Sequence, residues 1–178
     1  MDATWEEIVE RGYAAMTIES VAERAGTSRT VIYRRWPTKT ALVRATLERT
    51  MTRDPMQLPD TGSLRGDLIA VMHYANERRI GTTALLASHL GAYFQETGTS
   101  PAELRESVLG DRVSPIDAAI DRAVARGEID PARLTPRVRS LAFDLFRHEA
   151  LMTLKPVPDK VIDEILDEVF LPLVAKST

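Results

Sequence analysis

Residues Thr17–Leu47 read TIESVAERAGTSRTVIYRRWPTKTALVRATL. The run spells a helix, a tight turn, a short helix and the start of a longer one. Thr17 offers a hydroxyl that accepts from a free N–H of the first turn. Ile18, Val21, Ala22 and Ala25 then recur on one helical face. Gly26 is the stop, because glycine takes the left-handed conformation after a helix without a Cβ penalty. Ser28 caps the second helix, which runs to about Arg35. Trp36–Pro37 ends it, since the residue before a proline is pushed out of the helical region. Thr38 caps a third helix. Two short helices on a glycine turn make a helix-turn-helix, whose second helix enters a major groove. Ile32 and Trp36 anchor that helix inward and leave Arg29, Thr30, Tyr33 and Arg34 pointing out. From Arg24 to Arg53, eight basic residues stand against one acidic residue, Glu48. A basic run alone reads more readily as a solvated helical face. Here it coincides with the caps, the turn and the short helix.

Outside that run the chain is ordinary. Its 178 residues suffice for one sizeable core, or a small domain and a larger one. With 44% hydrophobic and 28% charged residues the composition is that of a globular protein. The net charge of −3 means that the basic character is local, which suits a module touching nucleic acid at one end. There is no cysteine, so disulfides, thiolate catalysis and cysteine-ligated metals are excluded, and a cytoplasmic protein is expected. No apolar run approaches the ~18 residues of a membrane span, and the N-terminus does not resemble a secretory signal.

Helical spacing continues to the end, so an all-α fold is expected. Trp5, Ile8 and Val9 mark a helix over 2–11, and Leu42, Val43, Thr46, Leu47 and Met51 mark one from Thr38 to about Arg53. Pro55, Pro59 and Gly62 form a loop, which divides a DNA-binding domain at 1–50 from a helical body at 51–178. In the body, helices are expected over 64–79 and 82–96, from Ser100-Pro101 (a capping box with Glu103), from Ser114-Pro115 to Gly127, and from Thr135-Pro136 to about Leu154. A last helix ends near Leu171, where Pro172 stops or kinks it. The final two helices carry wide apolar surfaces: Leu141 and Leu145, then Ile162, Ile165, Leu166, Val169 and Phe170. A central buried helix has this pattern, and so does a helix shared between a core and a second subunit.

The stretch GYAAMTIESVAERAGTSRTVIYRRWPTKTAL closely resembles the DNA-binding segment of TetR-type bacterial repressors. Gly12-Tyr13, Thr17, the Ile18/Val21/Ala22 face, Ala25-Gly26, Ser28, Thr30, Tyr33, Trp36, Lys39 and Leu42 carry the likeness, with Trp36 where that family more often has Phe. The residues from Arg126-Gly127-Glu128-Ile129-Asp130 onward resemble, more loosely, a body found in part of the family. The resemblance implies a three-helix head and dimerisation through the last two helices. It also implies control by a small-molecule effector, bound between body helices. Thr17 and Lys39 would sit at helix starts facing phosphates, and Tyr33 would give its hydroxyl to a phosphate. Arg29 and Thr30 lie early in the short helix, where arginine can pair with guanine and a threonine methyl with thymine. Ser28 shares that surface, as a cap before a base contact, and Arg34 fits a phosphate contact or plain solvation. Met1 falls inside the expected first helix, where family members carry a further turn and often a basic arm. A start upstream and a missing arm both fit.

Met72, His89, Tyr93, Phe94, Phe143 and Phe146 mix apolar bulk with polar tips as pockets do, and ordinary core packing fits them too. The scattered histidines (His73, His89, His148) do not form a helical metal site, and no nucleophile elbow, phosphate loop or dinucleotide fingerprint is present. No cofactor is expected. The expected function is therefore a homodimeric repressor on a near-palindromic double-stranded DNA operator, released by a small molecule. A regulator of the same fold without ligand control is the alternative, and a helical enzyme or binding module the more distant one.

Overall fold

A computed structural model describes residues 1–52, 56–57, 59–77, 89–110 and 114–176, without the side chains of residues 51, 105, 108 and 109. The described residues are helical, with no strand beyond an isolated bridge between Ile129 and Ala175. They form two compact units, one from residues 1–55 with 85–112, the other from 56–84 with 113–178.

The first unit contains α1 (Asp2–Ala15), α2 (Ile18–Arg24), α3 (Arg29–Arg35), α4 (Lys39–Thr52), α6 (Gly91–Thr97) and α7 (Pro101–Leu109). Helix α1 runs past the expected end near residue 11. Gly12, at φ 73° and ψ 165°, kinks it and lets one more turn form, which aims Tyr13 into the core. That conformation is open to glycine. A Cβ there would also lie 3.3 Å from His89 Cδ2. Ile8, Tyr13, Met16, Val21, Ile32, Leu42 and Val43 form the core, joined by Leu90, Tyr93 and Leu104. The expectation of a helix over 82–96 is met from Gly91 on, and residues 82–88 lie outside the described ones.

The second unit contains α5 (Leu64–Ala75), α8 (Pro115–Arg126), α9 (Pro136–Thr153) and α10 (Asp159–Asp163), which continues as a π-helix (Glu164–Phe170) into α11 (Leu171–Val174). Ser63, Ser114 and Thr135 cap their helices as side-chain acceptors, and Ser100 does so for α7. Leu64, Leu68, Met72, Ile120, Phe146, Ile162, Leu166 and Phe170 are its largest fully buried side chains. The last helix differs from the expected stop near Leu171. The N–H of Leu171 reaches back to the Leu166 carbonyl in the wide π turn, and the chain carries through Pro172 to Val174. Proline has no N–H to give a regular turn, and the widened turn before it absorbs the mismatch.

Beneath the α5 start lies a buried ionic cluster. Asp67, with no exposed surface, accepts from the Thr61 N–H (2.7 Å) and hydroxyl (2.9 Å) and from Arg122 (3.3 Å). Arg126 stands 3.6 Å from the same carboxylate and also pairs with Glu128, which accepts from the Leu64 N–H at 2.7 Å.

Candidate nucleic-acid interface

The α2–turn–α3 segment is built as its caps dictate. Thr17 accepts from the Ser20 N–H (3.0 Å), and Ser20 accepts in return from the Thr17 N–H (3.2 Å), a reciprocal capping box. Gly26 at φ 60° turns the chain out of α2, and Ser28 accepts from the Val31 N–H at 3.4 Å. Ile32 is buried and Trp36 half-buried, so α3 is held from one side. The opposite side presents Arg29, Thr30, Tyr33 and Arg34, all exposed, with Val31 beside them. The Thr38 hydroxyl accepts from the Ala41 N–H (3.1 Å) and starts α4.

The eight cations of the basic run are not equivalent. Arg24 is turned inward, its Nε 2.8 Å from buried Glu7 and its other nitrogens on Glu6 and Glu10 of α1. It pins α2 to α1, and spacing alone did not separate it from the others. Arg29 donates to Glu19 at 2.7 Å, which lowers the Glu19 carboxyl below its ordinary value. Arg44 pairs with Glu48 (2.9 Å), and the Arg35 guanidinium lies 5.1 Å from the Trp36 ring centre. Arg34 has no ion-pair partner among the described residues. Lys39, the first residue of α4, is half-buried with Nζ 4.2 Å from the centre of the Tyr13 ring. Burial lowers its pKa, and Glu96 partly offsets this. Glu96 also accepts the Tyr13 hydroxyl at 2.7 Å.

The six residues expected to line a pocket divide between the two units. Tyr93 belongs to the first core, with Phe94 packed against it, and stacks edge-on to Tyr13 and Phe94. Tyr93 also lines a cavity of about 220 Å³ with Arg44, Thr99, Glu103, Leu104 and Ser107. His89 stands against Gly12 in the same unit. Met72 and Phe146 lie in the second core, and Phe143 stacks on Phe146 with ring centres 5.5 Å apart. The residues expected at a subunit interface divide as well. Ile162, Ile165, Leu166 and Phe170 are buried in the chain's own core and have almost no surface to offer a partner. Leu141 and Leu145 are half-buried, and Val169 is exposed. Leu151, Met152, Leu154 and Leu173 are exposed apolar residues of the same unit.

Residues 1–46 match the sequence profile of bacterial regulatory proteins, tetR family, and residues 58–169 that of the tetracyclin repressor-like C-terminal domain. A DNA-binding transcriptional repressor TetR of Mycobacteroides abscessus is 31% identical over 167 residues, which is 94% of this chain and 87% of that protein. An uncharacterised HTH-type transcriptional regulator of Mycobacterium bovis is 30% identical over 172 residues, covering 95% of this chain and 83% of the relative. The crystal structure of a TetR family transcriptional regulator from Pseudomonas syringae pv. tomato shares the fold, with a TM-score of 0.66 at 17% identity over 97% of this chain and 91% of the other.

Proposed function

The chain belongs to the tetR family of bacterial regulatory proteins and is a DNA-binding transcriptional regulator, and from that premise we propose that it works as a homodimeric repressor whose α3 reads a near-palindromic operator. The observation that carries this reading is α3 itself. It is a seven-residue helix capped by Ser28, anchored by Ile32, with Arg29, Thr30, Tyr33 and Arg34 exposed along one side. In this reading residues 1–50 are the DNA-binding domain, and 51–178 carry ligand binding and dimerisation. Arg29 and Thr30 meet base edges. Thr17, Tyr33, Arg34 and Lys39 meet phosphates, where helix starts and cations favour an anion.

One helix this short reads too few base pairs to be selective, so two copies on two half-sites, about 34–36 Å or a multiple apart, are needed. The surface for pairing is the exposed apolar set Leu151, Met152, Val169 and Leu173. A small molecule bound among the body helices would favour a spacing of the two heads that misfits the operator, with a coupling of about 1–3 kcal/mol. The protein acts in the cytoplasm, without catalysis.

Quantitative DNA binding against salt checks the residue roles. Arg29→Ala should relax base preference and cost about 1–3 kcal/mol for a lost bidentate contact. Lys39→Ala should weaken all sequences alike and flatten the salt dependence. A small-molecule panel that never shifts melting temperature or operator affinity would instead support a regulator without ligand control.

A further inference from the structure

We infer that Glu19 is a specificity-determining positioning residue, holding Arg29 in the orientation that discriminates bases. This rests on the reading of Arg29 as a base reader. The Glu19–Arg29 pair is short, at 2.7 Å, yet its side chains are 55% and 63% exposed. Pairs this exposed add little to folding stability. The pair also lies on the face proposed to meet DNA, where a carboxylate repels phosphates and lowers affinity for any sequence. Its one polar side-chain partner among the described residues is Arg29, so any effect of the carboxylate on recognition passes through that guanidinium.

The geometry suits that task. Glu19 lies in the first turn of α2, whose backbone the Thr17–Ser20 capping box fixes. Arg29 is the first residue of α3, directly behind the Ser28 cap. The pair thus bridges two helix starts whose main chains are set by their own hydrogen bonds. Arg29 uses Nη1 for Glu19 Oε1. Among the described residues nothing accepts from the edge formed by Nε and Nη2, which can donate two parallel hydrogen bonds, the pattern that O6 and N7 of guanine accept. Glu19 holds its charge, since the hydrogen bond from Arg29 lowers its pKa. Without the carboxylate, the long Arg29 side chain is free to swing to neighbouring phosphates. Discrimination falls while sequence-independent affinity rises.

The test uses the full chain and duplex DNA. Selection from random-sequence duplexes supplies the bound site. Dissociation constants are then measured on that site, on its single-base-pair substitutions and on an unrelated duplex. The proteins are wild type, Glu19→Ala, Glu19→Gln, Arg29→Ala and the double variant, with melting temperature as the folding control. Glu19→Ala should lose about tenfold in preference at one base pair of each half-site, the order of one bidentate contact. That base pair should be the one Arg29→Ala affects, and the double variant should lose no more than Arg29→Ala. The unrelated duplex should bind a few-fold tighter to Glu19→Ala, with melting temperature unchanged. Glu19→Gln, which keeps an acceptor oxygen, should recover part of the preference. Unchanged preference in both Glu19 variants, while Arg29→Ala still loses it, would overturn the inference and leave Arg29 as the reader. Unchanged preference in Arg29→Ala would remove the reader itself, and the inference with it.

Discussion

Asp67 shows what one buried charge does here. Its carboxylate has no exposed surface and is held by Thr61, Arg122 and Arg126. Burial alone would raise its pKa, but the Thr61 N–H and hydroxyl and the Arg122 guanidinium outweigh it and leave the carboxyl below its ordinary 3.8. Glu128 behaves alike, burial being outweighed by Arg126 and the Leu64 N–H, and sits below 4.5. Carboxyls with lowered folded values contribute stability that is complete above their unfolded values and is lost as pH falls through the folded ones. The second unit should therefore keep its melting temperature down to about pH 5 and lose it steeply below pH 4. Asp67→Ala should cost about 3 kcal/mol at pH 7, because the Thr61 N–H and hydroxyl and the Arg122 guanidinium lose the buried carboxylate that accepts from them. It should also flatten the acid limb of the profile, which circular-dichroism melts from pH 7 to pH 2 would show. None of this was legible in the sequence. Asp67 is an unremarkable acidic residue of a helical first turn until Arg122 and Arg126, more than fifty positions away, are folded over it. Arg24 taught the same lesson in the head, where tertiary pairing with α1 removed a cation from the run that spacing had treated as one surface.

Among the elements, α3 is the one on which recognition depends, and seven residues are too few for a helix to be stable alone. Its local supports are Ser28 at the start, Gly26 in the preceding turn and Ile32 underneath. Ser28→Ala should cost about 1 kcal/mol, the usual loss for an N-cap. Gly26→Ala, at φ 60° with open space around a new Cβ, should cost about 1–2 kcal/mol from conformation alone. Ile32→Ala should cost about 2–5 kcal/mol and take DNA binding with it. Chemical denaturation followed by DNA titration of each variant checks the order Ile32, then Gly26, then Ser28. These elements were readable in advance because each boundary is chemical: a hydroxyl acceptor, a glycine, a proline. The α1 kink and the π-helix were not, because Gly12 and Pro172 announce an exception without saying how the chain meets it. The aromatic positions were legible only in part, for a related reason. Helical spacing says that Tyr93 and Phe146 are inward, and not into which core.

For the molecule as a whole, the proposal requires two copies. Burial of Ile162, Leu166 and Phe170 within the chain assigns the inner half of the apolar C-terminal stripe to folding. Val169 and Leu173, with Leu151 and Met152 from α9, are the half left over. Met152→Asp combined with Leu173→Asp should shift the protein from dimer to monomer in sedimentation at micromolar concentration. Because both side chains are already exposed, melting temperature should change little beyond the loss of mass action. Operator affinity should fall by at least two orders of magnitude while binding to random DNA survives, since each monomer keeps its basic head. If a paired α3 reads DNA, selection of bound sequences from a random duplex pool should recover its site. An enriched, near-palindromic site is expected, with half-sites about one helical turn or a multiple apart, and its enrichment should disappear with Arg29→Ala and Thr30→Ala together. No enriched sequence, or one enriched equally by that double variant, would contradict it.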